Sequence, residues 1–186
     1  MSTPEARHGS AIVLALLLAG CASRGADAPA LAAPRLGQPA TAAEVARWDL
    51  NVFPDGRGLP PGRGLVADGA LLFQAYCQIC HGPAGRGASA EELAGGSEPL
   101  TSATPDKTIG SYWPYATTLF DFIRRAKPMG APGSLSADEV YAISAYLLQI
   151  NGVIDGAQAM DAQTLPAVRM PNRDGFVGID ARPRPR

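Results

Sequence analysis

The sequence predicts an all-α fold, and three observations point that way. Three stretches carry apolar residues at helical spacing: Leu72, Phe73, Tyr76 and Cys77; Leu119, Phe122, Ile123 and Ala126; Val140, Ile143, Leu147 and Ile150. No segment sustains the two-residue alternation of a half-buried strand. The 21 glycines and 17 prolines among 186 residues break the remainder into loops around a modest core. That length suits one compact domain with tails, and a formal charge of −1 without a basic stripe argues against nucleic acid as a partner.

At the N-terminus, Arg7 and His8 precede an apolar run over residues 11–18, too short to span a bilayer comfortably. The run ends in Leu18-Ala19-Gly20-Cys21, which resembles the lipobox of bacterial lipoproteins. That resemblance implies a signal peptide over residues 1–20 and acylation of Cys21, a tether to the periplasmic side of a bacterial membrane. An ordinary signal peptide with an incidental cysteine and an uncleaved anchor are the alternatives. Residues 21–47, rich in Ala and Pro, read as a flexible linker. The turn-rich segment that follows, up to Gly64, carries Trp48, Val52 and Phe53 and is expected to pack on the domain, which spans residues 48–152.

Within that domain Asp68 is a candidate cap for a first helix, running from Gly69 to about Gln78. The glycine- and serine-rich stretch between Gly82 and Gly110 reads as loop, and a second helix follows Trp113-Pro114 and ends at Pro128. Ser136 with Glu139 three residues on forms a capping-box signature for the third helix, and Gly152 suits its C-terminal end. Residues 153–186 read as an irregular extension with a Pro/Arg terminus.

Cys77-Gln78-Ile79-Cys80-His81 fits the C-x-x-C-H pattern of c-type haem attachment. Two cysteines on one helical turn can each form a thioether with a haem vinyl group, and the adjacent histidine falls beneath the iron. With a leader removed and Cys21 acylated, these are the last Cys and His residues of the chain. Zinc would need further ligands, a thioredoxin-like pair would need a βαβ context, and a Cys77–Cys80 disulfide would leave His81 without a role. One covalent haem c is therefore expected, with His81 as axial ligand. Met129, in the proline-rich loop KPMGAP, is the expected sixth ligand, with Met170 the alternative; Met160, Lys127 and an open site complete the field. Tyr112, Trp113 and Tyr115 are candidates to contact the haem edge, Arg124 and Arg125 to pair with its propionates, and the Pro83 carbonyl to bond the His81 ring.

The order of capped helix, CxxCH, long loop, methionine loop and final helix with Ala145-Tyr146-Leu147 resembles a class I cytochrome c fold. That likeness implies that Gly69 and Phe73 cross Tyr146. More narrowly, GSYWPYATTLFD (residues 110–121), DEVYA with AYLL (138–142 and 145–148) and MPNRDGF (170–176) are similar to the haem domain of the SoxD family, cytochrome subunits of sulfane dehydrogenases. Relatives tend to read Met-Pro where this chain has Lys127-Pro128, and commonly carry a second haem domain. The resemblance implies an electron carrier serving a molybdenum-containing sulfite or sulfane dehydrogenase subunit and passing electrons to a downstream cytochrome or oxidase. It does not imply an enzyme; with a leader carrying His8 removed, the chain offers no second histidine as a distal acid–base group, and it has no clustered carboxylate pair. An alcohol- or sugar-dehydrogenase subunit and a haem enzyme or gas sensor with an open distal site are the rival readings. If Cys21 carries the tether, Cys21→Ser releases the protein into the soluble fraction; membrane fractionation checks this, and retention in the pellet would refute it.

Overall fold

The structure, a computed structural model, describes residues 36–178; residues 1–20, Cys21, most of the expected linker and the Pro/Arg terminus lie outside them. From Thr41 to Gly178 the described residues form one compact unit. It comprises seven helices among the described residues: α1 (Ala42–Trp48), α2 (Val66–Tyr76), α3 (Gln78–His81), α4 (Ile109–Tyr112), α5 (Ala116–Ala126), α6 (Ala137–Ile150) and α7 (Thr164–Ala167). A single two-stranded antiparallel ladder pairs β1 (Arg63–Gly64) with β2 (Met160–Asp161), Gly64 opposite Met160. The all-α expectation holds, with the ladder as a small addition.

Helix α6 is the centre of the packing. Its start is the expected capping box: Glu139 N–H donates to Ser136 Oγ at 3.3 Å, and Ser136 N–H donates to the Glu139 carboxylate at 2.7 Å. It ends with Gly152 at φ +68°, where Gly152 N–H bonds the Gln149 carbonyl and Val153 N–H the Leu148 carbonyl, both at 2.9 Å. That crossed pair is a Schellman motif. Val140, Ile143 and Leu147 are buried as expected, but so are Tyr141, Ala142, Ser144, Ala145 and Leu148. The buried face is wider than a stripe because α2, α4, α5 and both short strands all pack on this one helix.

Helix α2 crosses α6 at Gly69, where an added Cβ would collide with the Ala142 carbonyl and press on Tyr146. One turn on, the Phe73 and Tyr146 rings meet at 5.3 Å. The helix begins at Val66, three residues before the expected start, because Gly69 N–H already bonds the Leu65 carbonyl at 3.0 Å. Asp68 therefore lies inside the first turn, where a carboxylate suits the helix dipole, and does not cap. Tyr76 is 48% exposed, not turned into the core as the spacing suggested. In α5, Leu119 and Ile123 are buried as expected, together with Phe120, whose ring lies tilted against Tyr141 at 4.4 Å.

The flanking segments are more ordered than their composition predicts. Helix α1 occupies the end of the expected linker, set by a Thr41–Glu44 capping box, and buries none of its residues. Trp48 is 84% exposed, so Val52 and Leu59 attach the following segment to the core in its place. Polar bonds complete that attachment: Val52 N–H donates to Asp121 at 3.1 Å, and Tyr141 Oη–H to the Pro60 carbonyl at 2.9 Å. The C-terminal extension, expected to be irregular, contributes β2, α7 and three core side chains, Met160, Leu165 and Met170. No helix among the described residues is long and apolar enough to cross a membrane.

Burial pushes the Tyr141 phenol up to about 12 from its ordinary 10.0, with Asp161 adding and Arg124 opposing. The fold thus favours the neutral phenol, a contribution present below pH 10 and lost as pH rises toward about 12. Urea midpoints should fall across that window. In Tyr141→Phe the fall should flatten, while neutral-pH stability drops by about 1 kcal/mol with the lost hydrogen bond. An unchanged alkaline slope in the variant would place the sensitivity elsewhere.

Candidate cofactor site

The last turn of α2 and the single turn of α3 bring both thiols and the imidazole to one wall. Cys77 N–H bonds the Phe73 carbonyl at 2.9 Å, and the amides of Cys80 and His81 both return to the Cys77 carbonyl, at 3.1 and 3.0 Å. Cys77 and Cys80 are free thiols. Burial pushes the Cys77 thiol up to about 11, with Lys127 opposing and Cys80 adding, so it is protonated near neutrality.

The loop after His81 is pinned by its backbone. Gly82, at φ +73°, reverses the chain, after which Gly87 N–H bonds the His81 carbonyl (2.7 Å) and Ala90 N–H the Cys80 carbonyl (2.8 Å). Leu93 and Ala94 both donate to the Gly85 carbonyl, at 2.7 and 3.0 Å. This path delivers the Glu91 carbonyl to 2.8 Å from His81 Nδ1. A carbonyl can only accept, so Nδ1 carries a proton, and the neutral ring then has its lone pair on Nε2. The expected partner, Pro83, does not serve, because its carbonyl accepts from Arg86 N–H at 3.2 Å in the tight turn Pro83–Gly85.

These side chains open on a cavity of about 410 Å³. Leu119 and Ile123 of α5 and Ile143 and Leu147 of α6 form its apolar walls, and Trp113 lines it edge-on to Phe122 at 5.8 Å. The other expected edge contacts lie elsewhere. Tyr115 sits under the Arg173 guanidinium at 5.1 Å, and Tyr112 packs against Phe176 at 5.2 Å; neither lines the cavity. Arg124 and Arg125 are also absent from the lining, and Arg125 binds Asp121 at 3.0 Å and Asn51 at 2.8 Å. Met129 lines the cavity and is 77% exposed, whereas Met160 and Met170 are core residues outside the lining. Met170 was drawn into the field by its motif, yet burial in the C-terminal packing removes it from the cavity.

Two features of the site were not read from the sequence. The Glu91 carbonyl carries no side-chain signal, since any residue supplies a carbonyl. Lys107, in a long loop, lines the cavity together with Lys127. The donor set, two free thiols three positions apart beside a histidine with an available Nε2, all facing an apolar cavity with basic groups in its lining, fits a covalently attached haem.

The Cytochrome c family model matches residues 66–151. With that match and the solved structure described next, the chain belongs to the class I c-type cytochromes, electron-transfer proteins carrying covalently bound haem c. In particular it is similar to the crystal structure of the sulfane dehydrogenase SoxCD from Paracoccus pantotrophus, at 43% sequence identity and a TM-score of 0.73. The likeness covers 79% of this chain and 73% of that one. No curated protein sequence matches the chain.

Gly82 is the residue on which the His81 environment turns. In Gly82→Ala the new Cβ would meet the Gly87 backbone carbonyl in a left-handed conformation. The expected cost is about 1–2 kcal/mol, read as a lower thermal midpoint by circular dichroism. An unchanged midpoint would show that the loop accommodates the methyl group freely.

Proposed function

We propose that this chain is a monohaem electron carrier, held at the periplasmic side of a bacterial membrane through lipid on Cys21. It takes electrons from a molybdenum-containing sulfite or sulfane dehydrogenase subunit and passes them to a downstream cytochrome or oxidase. Cys77 and Cys80 form the thioethers, and His81 is the proximal ligand through Nε2. The sixth ligand comes from the loop bearing Lys127 and Met129, the latter being the thioether donor expected from the sequence. When bound, the haem supplies a one-electron couple.

One observation carries this reading: His81, beside two free thiols, has its Nδ1 bonded to the Glu91 carbonyl at 2.8 Å and shares a cavity with apolar walls. The Glu91 bond orients the ring and raises its basicity. Leu119, Ile123, Ile143 and Leu147 exclude water, which limits reorganisation when charge changes. The choice of a sulfur-oxidising partner is supported by the 43% identity to SoxCD.

The test is reduction of the purified holoprotein in stopped flow. A molybdenum sulfite or sulfane dehydrogenase with its substrate should reduce it, whereas a quinoprotein alcohol dehydrogenase should not. Reduction by the quinoprotein alone would overturn the partner assignment. The double variant Cys77→Ala/Cys80→Ala should release all of its haem into acidified acetone; haem that stayed with the polypeptide would refute the attachment sites.

A further inference from the structure

Helix α5 presents Leu119 and Ile123 to the cavity, and Lys127 follows four residues after Ile123 on the same side. The Lys127 amide still bonds the Ile123 carbonyl at 3.0 Å, which holds the residue in register at the end of the helix. Its side chain is half-buried in the cavity lining, with Nζ 5.3 Å from the centroid of the Phe122 ring, another lining residue. The charge is felt at the Cys77 thiol, where it opposes the effect of burial. Among the described residues no ion pair involves Lys127, although Glu91 and Glu92 border the same cavity.

Met129 is placed differently. Tyr76 and Phe122, which wall this cavity, are 48% and 45% exposed, and that is the exposure of a side chain facing open space on one side. Met129 also borders the cavity but is 77% exposed, far more than these two walls. Pro128 separates it from Lys127, the C-cap residue whose amide closes the last turn of α5.

Resting on the haem attachment proposed above, we infer that the donor atom on the loop is the Lys127 amine and not the Met129 thioether. Coordination uses the Nζ lone pair, the ammonium giving its proton to solvent, and no electron is transferred in forming the bond. A nitrogen donor favours oxidised iron relative to a thioether, so the carrier would work at a lower potential than a histidine–methionine cytochrome.

The test is spectroscopy of the full-length holoprotein, its covalent haem first verified by mass; a chain without bound haem would sink the attachment proposal, and this inference with it. With haem present, the oxidised protein should be low-spin and lack the far-red methionine-to-iron charge-transfer band, and Met129→Leu should leave its magnetic circular dichroism and midpoint potential unchanged. Lys127→Ala should lose the low-spin signature and bind carbon monoxide readily when reduced. Lys127→Met, which keeps a donor at that position, should gain the charge-transfer band and a higher potential. A wild-type charge-transfer band lost in Met129→Leu would overturn the inference. So would a low-spin spectrum surviving in Lys127→Ala, which would leave Lys127 a charge partner of the propionates.

Discussion

Gly69 permits the close approach of α2 to α6, and the rest of the site is built on that contact. A hydrogen in place of a methyl lets the backbone of α2 rest against the Ala142 carbonyl. Phe73 then meets Tyr146 one turn later, and Cys77 arrives at the cavity wall one turn after that. A larger residue at position 69 would lift the helix and with it every group in the CxxCH turn. Overpacking of this kind in a core costs roughly 1–3 kcal/mol. In an electron carrier the geometric consequence matters more, since the CxxCH turn and the α6 side chains line one cavity.

The loop from Gly82 to Gly96, rich in small residues, is ordered by its backbone. Gly87 bonds back to His81 and Ala90 to Cys80 in the CxxCH turn, and Leu93 bonds to Gly85 within the loop. The result is a carbonyl at Glu91 held against the imidazole. Histidine orientation is thus a property of the loop's path and not of any one side chain. A further tie reaches α6, where Asn151 donates to the Leu93 carbonyl at 3.1 Å.

The two extensions close the helical core from outside. The N-terminal segment is fastened across α5 by Asp121, Arg125 and Asn51, while Met160, Leu165 and Met170 fill the side that the helices leave open. Burying three large apolar side chains from a stretch without helical periodicity compensates for a core of modest size, each contributing on the order of 1.5–3 kcal/mol. The methionine in the MPNRDGF segment is accordingly a packing residue in this structure, whatever its motif suggests.

The sequence by itself determined the helices with strong local signals, above all α6, whose cap, stripe and terminal glycine all lie within seventeen residues of chain. It also carried the CxxCH motif in full, because that pattern is local to five consecutive residues. Tertiary structure alone decided which distant residues share the cavity. Tyr115 and Arg125 looked eligible by type but face other partners, and Arg124 lies outside the lining, whereas Lys107 and the Glu91 carbonyl joined the site through loop geometry. It also separated Met129, which lines the cavity, from Met170, which is buried in the core cluster. Local spacing encodes which face a helix buries; only the assembled packing encodes what stands opposite it.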